Sequence, residues 1–152
     1  MSLRLPIVRG KAINRDPDGN YRTDHKNGDW VYGIISDYWT HDEREHVELT
    51  NKDGISGIEV DPKTIGWYTY REDSEENEIF EGDIVVCPNG DRDEDSSRVG
   101  VITFVNGHLV PCIHEPGVGW YYLLVDCYIE KVIGNIWDNP DMVEEFKLKV
   151  KK

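Results

Sequence analysis

Turn residues punctuate this chain at intervals of roughly eight to twelve residues, and the runs between them are short and rich in β-branched and aromatic side chains. Asp16-Pro17-Asp18-Gly19-Asn20, Asn27-Gly28, Asn51-Lys52-Asp53-Gly54, Asp61-Pro62 and Asn106-Gly107 mark the stops. Proline presets one backbone angle of a turn and glycine supplies the left-handed one. Between them Ile7–Ile13, Trp30–Ile35, His46–Thr50 and Thr64–Tyr70 read as strands, with Ile55, Ile58 and Val60 in a further extended piece. After residue 78 five more follow: Ile84–Cys87, Val99–Phe104, His108–Ile113, Trp120–Val125 and Tyr128–Ile136. Many short strands of this spacing predict a mainly β fold, a sandwich or a small barrel. Five strands after residue 78 suit an SH3-like barrel.

One helix is predicted, at the end of the chain. Asn139 can cap it, Pro140 suits its first position, and Asp141 complements the positive end of the helix dipole. The expected organisation is an N-terminal β lobe over residues 1–70, an acidic connector at 71–78, and a barrel lobe with the terminal helix over 79–152. The connector, Arg71 to Glu78, reads as a solvated loop. Directly after it, Glu81-Gly82-Asp83 sits between the apolar pairs Ile79-Phe80 and Ile84-Val85, a tight entry into a strand.

Composition narrows function more than it names it. The 152 residues suffice for one domain or two small ones with a real core. Seventeen Lys and Arg stand against 30 Asp and Glu, a net charge of -13. Phosphate backbones are bound by neutralising them with cations, so this balance argues against nucleic-acid binding. It suits a basic protein partner. No apolar run approaches the roughly 20 residues that span a bilayer, and the first residues carry no apolar stretch of a secretory signal. Cys87, Cys112 and Cys127 form no close pair, which predicts free thiols in a reducing cytoplasm.

Three blocks of the chain together resemble the YopX proteins of bacteriophages and prophages. The first is Arg9-Gly10-Lys11 with Asn27 to Gly33. The second is Val60 to Gly66, leading through Tyr68-Thr69 to Ile79–Val85. The third is Val132 to Pro140. The resemblance implies a mostly β protein with an SH3-like barrel in its C-terminal part, a phage or prophage origin, and a tendency to self-associate. It implies no activity, for the family has none established. Glu81, Gly82, Asp83, Gly134 and Asn135 are structural motif positions within those blocks. The chain departs from the family at Trp67, where Gln is frequent, and at Tyr70, where a Thr-Gly-Leu sequence is frequent and this chain reads Thr69-Tyr70-Arg71.

Candidate chemistry is sparse. Asp91, Asp93 and Asp95 alternate as in a calcium-binding loop, but that loop also needs Gly at its sixth position and Glu at its twelfth, where Ser96 and Ile102 stand. Cys87, Cys112, His114 and Cys127 could be zinc ligands, yet they lack the close Cys pairs of structural zinc sites. His41 and His46 do not have the spacing of a metalloprotease helix. No nucleophile elbow or phosphate loop occurs. No catalytic residue, metal or cofactor is therefore expected. Aromatics are abundant, and adjacent ones on a strand point to opposite faces. Trp67, Tyr70, Trp120 and Tyr122 are accordingly predicted at an interface or packed between lobes. The expectation is a non-catalytic, homo-oligomeric scaffold that binds another protein of host or phage. A nucleic-acid-linked regulator, or an acidic mimic of nucleic acid, is the alternative.

Overall fold

The structure, a computed structural model, describes residues 7–13, 25–88, 97–104, 112–114, 121–123, 128–129 and 131–150. It is mainly β, with two antiparallel sheets and one C-terminal helix. The chain divides into two compact units, Met1–Tyr68 and Thr69–Lys152.

The first unit is built from β1 (Val8–Lys11), β2 (Trp30–His41), β3 (Arg44–Asn51), β4 (Ile58–Val60) and the start of β5 (Gly66–Glu72). Its strand order is β4-β3-β2-β1-β5. Alternation puts Val8, Ala12, Val31, Val47, Leu49, Ile58 and Val60 on one face, where they form the core with Ile65 against them. The sheet curls over this core. Ala12 bridges Val60, and the Asp61 N–H donates to the Lys11 carbonyl at 2.8 Å. The expected turns do their work through side chains as well as backbone. Asn51 Oδ1 accepts from the Asp53 and Ile55 N–H groups. Asp61 caps a 3-10 turn, Pro62–Thr64, by accepting from the Lys63 N–H.

The second unit holds the end of β5, then β6 (Glu78–Phe80), β7 (Asp83–Pro88), β8 (Ser97–Thr103), β9 (Cys112–His114), β10 (Tyr121–Leu123), β11 (Lys131–Asn135) and α1 (Pro140–Val150). The last five strands form a sheet in the order β10-β9-β8-β7-β11. Its core is Ile79, Val85, Ile102, Ile113 and Ile129, with Cys87 and Val132 packed against them. Among the described residues the sheet is open: nothing pairs β10 with β11. The hairpin read at Val105-Asn106-Gly107 lies outside the described residues. No helix among the described residues is long and apolar enough to cross a membrane.

The acidic run after Tyr70 corrects the sequence reading. It is not a merely solvated loop. It closes the β5–β6 hairpin around Asp73, which is buried. One carboxylate oxygen accepts from the Glu75 and Asn77 N–H groups at 2.9 and 2.8 Å. The other accepts from the Asn77 side-chain amide and from the Val132 N–H at 3.0 Å, on β11. The physical reason is that one ionised carboxylate satisfies several donors that a tight turn leaves over. Burial alone would push the Asp73 pKa up. The hydrogen bonds from Val132, Asn77 and Glu75 outweigh it and hold the group below the usual carboxylate range.

Candidate functional site

Glu81 and Gly82 make the turn that joins β6 to β7. Gly82 has φ +91°, a conformation that a side chain would strain. Its N–H donates to the Ile102 carbonyl at 2.8 Å, and its own carbonyl accepts from the Ile136 N–H at 2.9 Å. Asp83 is 2% exposed and folds its carboxylate back onto the Phe80 N–H at 2.7 Å. A buried carboxylate engaged this way fixes the corner between two strands.

Gly134 and Asn135 lie directly opposite, Gly134 across from Ile84 and Asn135 across from Asp83. A Cβ on Gly134 would stand 2.5 Å from Asn139 Oδ1. That oxygen accepts from the Asn135 N–H, and Asn135 Oδ1 in turn accepts from the Trp137 and Asp138 N–H groups. The Asn139 carbonyl accepts from the Met142 N–H in the first turn of α1. The structure thus brings Glu81, Gly82, Asp83, Gly134 and Asn135 together as one backbone junction between β7, β8, β11 and α1. The side chains of Asp83, Asn135 and Asn139 there are turned onto backbone or a neighbouring turn.

The residues read as interface positions are placed as follows. Trp67 is 42% exposed and Tyr70 40% exposed, both on β5. Tyr70 has φ +61°, a left-handed conformation that is an outlier for a bulky side chain. Trp120 lies outside the described residues. Tyr122 is in β10, but its side chain lies outside them. The Asp91–Asp95 loop, Cys127 and the side chains of Cys112 and His114 are also outside. Among the described residues no group of three or more His, Cys, Asp or Glu could hold a metal ion.

The sequence reading missed the outer part of the β2–β3 hairpin. β2 continues well past Ile35, to His41, and a two-residue loop, Asp42-Glu43, returns the chain. Both loop residues have positive φ, +50° and +62°. That is the geometry of a turn normally given to Asn-Gly or Gly-Gly, so the usual composition signal is absent. β1 pairs with β2 only from Trp30 to Gly33, and β4 pairs with β3 only from Val47 to Leu49. Beyond those limits the described residues supply no third strand, and the hairpin runs on as a two-stranded ribbon.

Both faces of the ribbon are pinned near its base. On one, the Trp39 ring stacks on its cross-strand partner His46, centroids 5.2 Å apart and nearly parallel. His46 Nδ1 lies 3.2 Å from Glu59 Oε2 on β4. On the other, the Tyr38 hydroxyl donates to Glu45 at 3.2 Å, and the Glu45 carboxylate holds that phenol above its ordinary pKa. Tyr38 is nonetheless 55% exposed, and Ile35 beside it is exposed too. A bulge between Ile35 and Asp37 re-aims the strand there, with the Ser36 hydroxyl on the Glu48 carbonyl.

Cations near the sheet are used differently. The Arg9 guanidinium lies 4.6 Å from the Trp30 ring centroid and Lys11 Nζ lies 5.4 Å from it. Lys52 sits over Tyr32 at 5.9 Å. These cations cover aromatic rings of their own sheet, contacts that each favour by roughly 0.5–1 kcal/mol.

Residues 20–144 match the family model described as YopX protein. No curated protein matches the chain.

Proposed function

Because the chain belongs to the YopX family, we propose that it is a phage- or prophage-encoded accessory protein that works as a non-catalytic, homo-oligomeric scaffold for protein interaction in the bacterial cytoplasm. The observation that carries this reading is the set of exposed aromatics on preformed β structure: Tyr38 on the ribbon, and Trp67 and Tyr70 on β5. Tyr and Trp supply large contact area at low entropic cost and are enriched where proteins meet. The side-chain oxygens of the motif residues Asp83 and Asn135 are engaged in holding backbone. A catalytic acid or base would have to face a substrate instead.

For the second unit the same proposal includes an SH3-like barrel. Its support is the strand order: β7 to β10 follow one another as a meander, and β11 returns to the free side of β7. That is the order of an SH3-like barrel. The test of the scaffold reading is the mass of the full chain by size-exclusion chromatography with light scattering. An integer multiple of the chain mass supports it; a monomer at high concentration removes the homo-oligomeric part.

A further inference from the structure

Among the described residues the outer edge of β2 beyond Gly33 has no partner strand, and this edge has a sign. The Tyr38 N–H is not paired with β3; it donates to the Asp37 carboxylate at 2.9 Å. That direction marks the Tyr38 backbone as facing the open side of the ribbon, and alternation puts the Thr40 backbone there as well. An exposed edge of this kind templates pairing with another extended chain. The pinned base matters, because an isolated two-stranded ribbon is only marginally stable. The Trp39–His46 stack and the His46–Glu59 contact hold this one in place before any partner arrives.

Charge decides which partner fits. From Ser36 to Glu48 the chain carries Asp37, Asp42, Glu43, Glu45 and Glu48, with Arg44 as the lone Lys or Arg. The whole chain has a net charge of -13. A second copy docked edge to edge would bring Asp37 and its acidic neighbours against their own like, which costs association free energy. A basic strand meets no such penalty. Its carbonyl would take over the Tyr38 N–H, and its Lys or Arg would take over the Asp37 carboxylate that now occupies it. Alternate apolar side chains of the same strand would fall toward Tyr38, exposed on this segment, and toward Ile35, exposed just before it.

We infer that the outer edge of β2, from Ser36 to His41, is a docking site for a basic, extended segment of another protein, which adds as a further strand. This rests on the protein-interaction reading above but not on its homo-oligomeric part. The test uses the isotopically labelled full chain and a synthetic peptide that alternates lysine with valine. Amide signals from Ser36 to His41 are expected to shift on titration. Methylating alternate backbone nitrogens of the peptide leaves its charge intact and should weaken binding by about tenfold or more. Asp37→Lys should weaken it similarly, and a glutamate–valine peptide should not bind. Binding that survives N-methylation, or shifts that follow the acidic residues of 71–78 in place of the ribbon, would reduce the effect to general charge attraction and overturn the proposal. No binding at all would overturn it too. A monomeric mass in light scattering alongside ribbon-specific binding would remove self-assembly and leave this site standing.

Discussion

Replacing Asp73 with alanine tests the least obvious element of the fold. The carboxylate satisfies three backbone N–H groups, those of Glu75, Asn77 and Val132, and one side-chain amide. Val132 is half-buried against the core of the second unit, whereas Glu75 and Asn77 are exposed. A buried donor left unpaired costs about 1–3 kcal/mol. The Glu75 and Asn77 N–H groups recover water, and each loss is about 0.5 kcal/mol. The sum for Asp73→Ala is about 3 kcal/mol. With a urea slope of about 1–1.5 kcal/mol/M, the unfolding midpoint of the second unit should fall by about 2–3 M. Asp73→Asn keeps one acceptor oxygen for the turn but offers an N–H where another donor already points. Its cost should be smaller, about 1–2 kcal/mol. Hydrogen exchange gives a local readout: the Val132 amide should lose protection in the alanine variant. The pH dependence has a definite sign. The folded pKa lies below the unfolded value. The stabilisation is therefore complete above the unfolded pKa of about 3.9 and is lost as pH falls through the folded value. The gap between wild type and Asp73→Asn should narrow in that acid window and be constant above pH 5 or so. An alanine variant within about 0.5 kcal/mol of wild type at neutral pH, with Val132 still protected, would refute the reasoning.

Two further substitutions separate fold from interface. Gly82→Val places a β-branched side chain at φ +91° and should cost about 2 kcal/mol or more in chemical denaturation; an unchanged midpoint and unchanged oligomeric state would contradict the corner assigned to it. Tyr70→Gly relieves a left-handed tyrosine and should gain about 0.5–1 kcal/mol in the same assay, while weakening assembly if the ring is an interface anchor. A variant that is less stable would show that Tyr70 packs for the fold.

The strands were readable because their stops have local chemistry. Asn51, Asp61 and Asp83 accept from backbone N–H groups within a few positions of themselves, and a sequence displays that. Asp73 was not readable. In an acidic run it looks like its neighbours, and what singles it out is a backbone N–H on β11, far along the chain. The ribbon was hidden for a related reason. Asp42 and Glu43 adopt angles that usually advertise themselves through Gly or Asn, so the sequence marks no turn there and the strand reads only as far as Ile35. Tyr70 shows the same effect in a family context. The YopX resemblance has a frequent Gly there, and the structure keeps the glycine-like conformation although the side chain is aromatic. At the proposed site the aromatics were legible as surplus hydrophobic area. Which of them faces outward was not, since that depends on the bulge after Ile35 and on where β1 and β4 stop pairing.

The scaffold reading stands or falls most directly on the mass of the assembled chain. Light scattering behind size exclusion, run across a wide concentration range, should give an integer multiple of the chain mass that persists on dilution and decreases in Trp67→Ala or Tyr70→Ala. A chain that stays monomeric at every concentration would contradict the central claim.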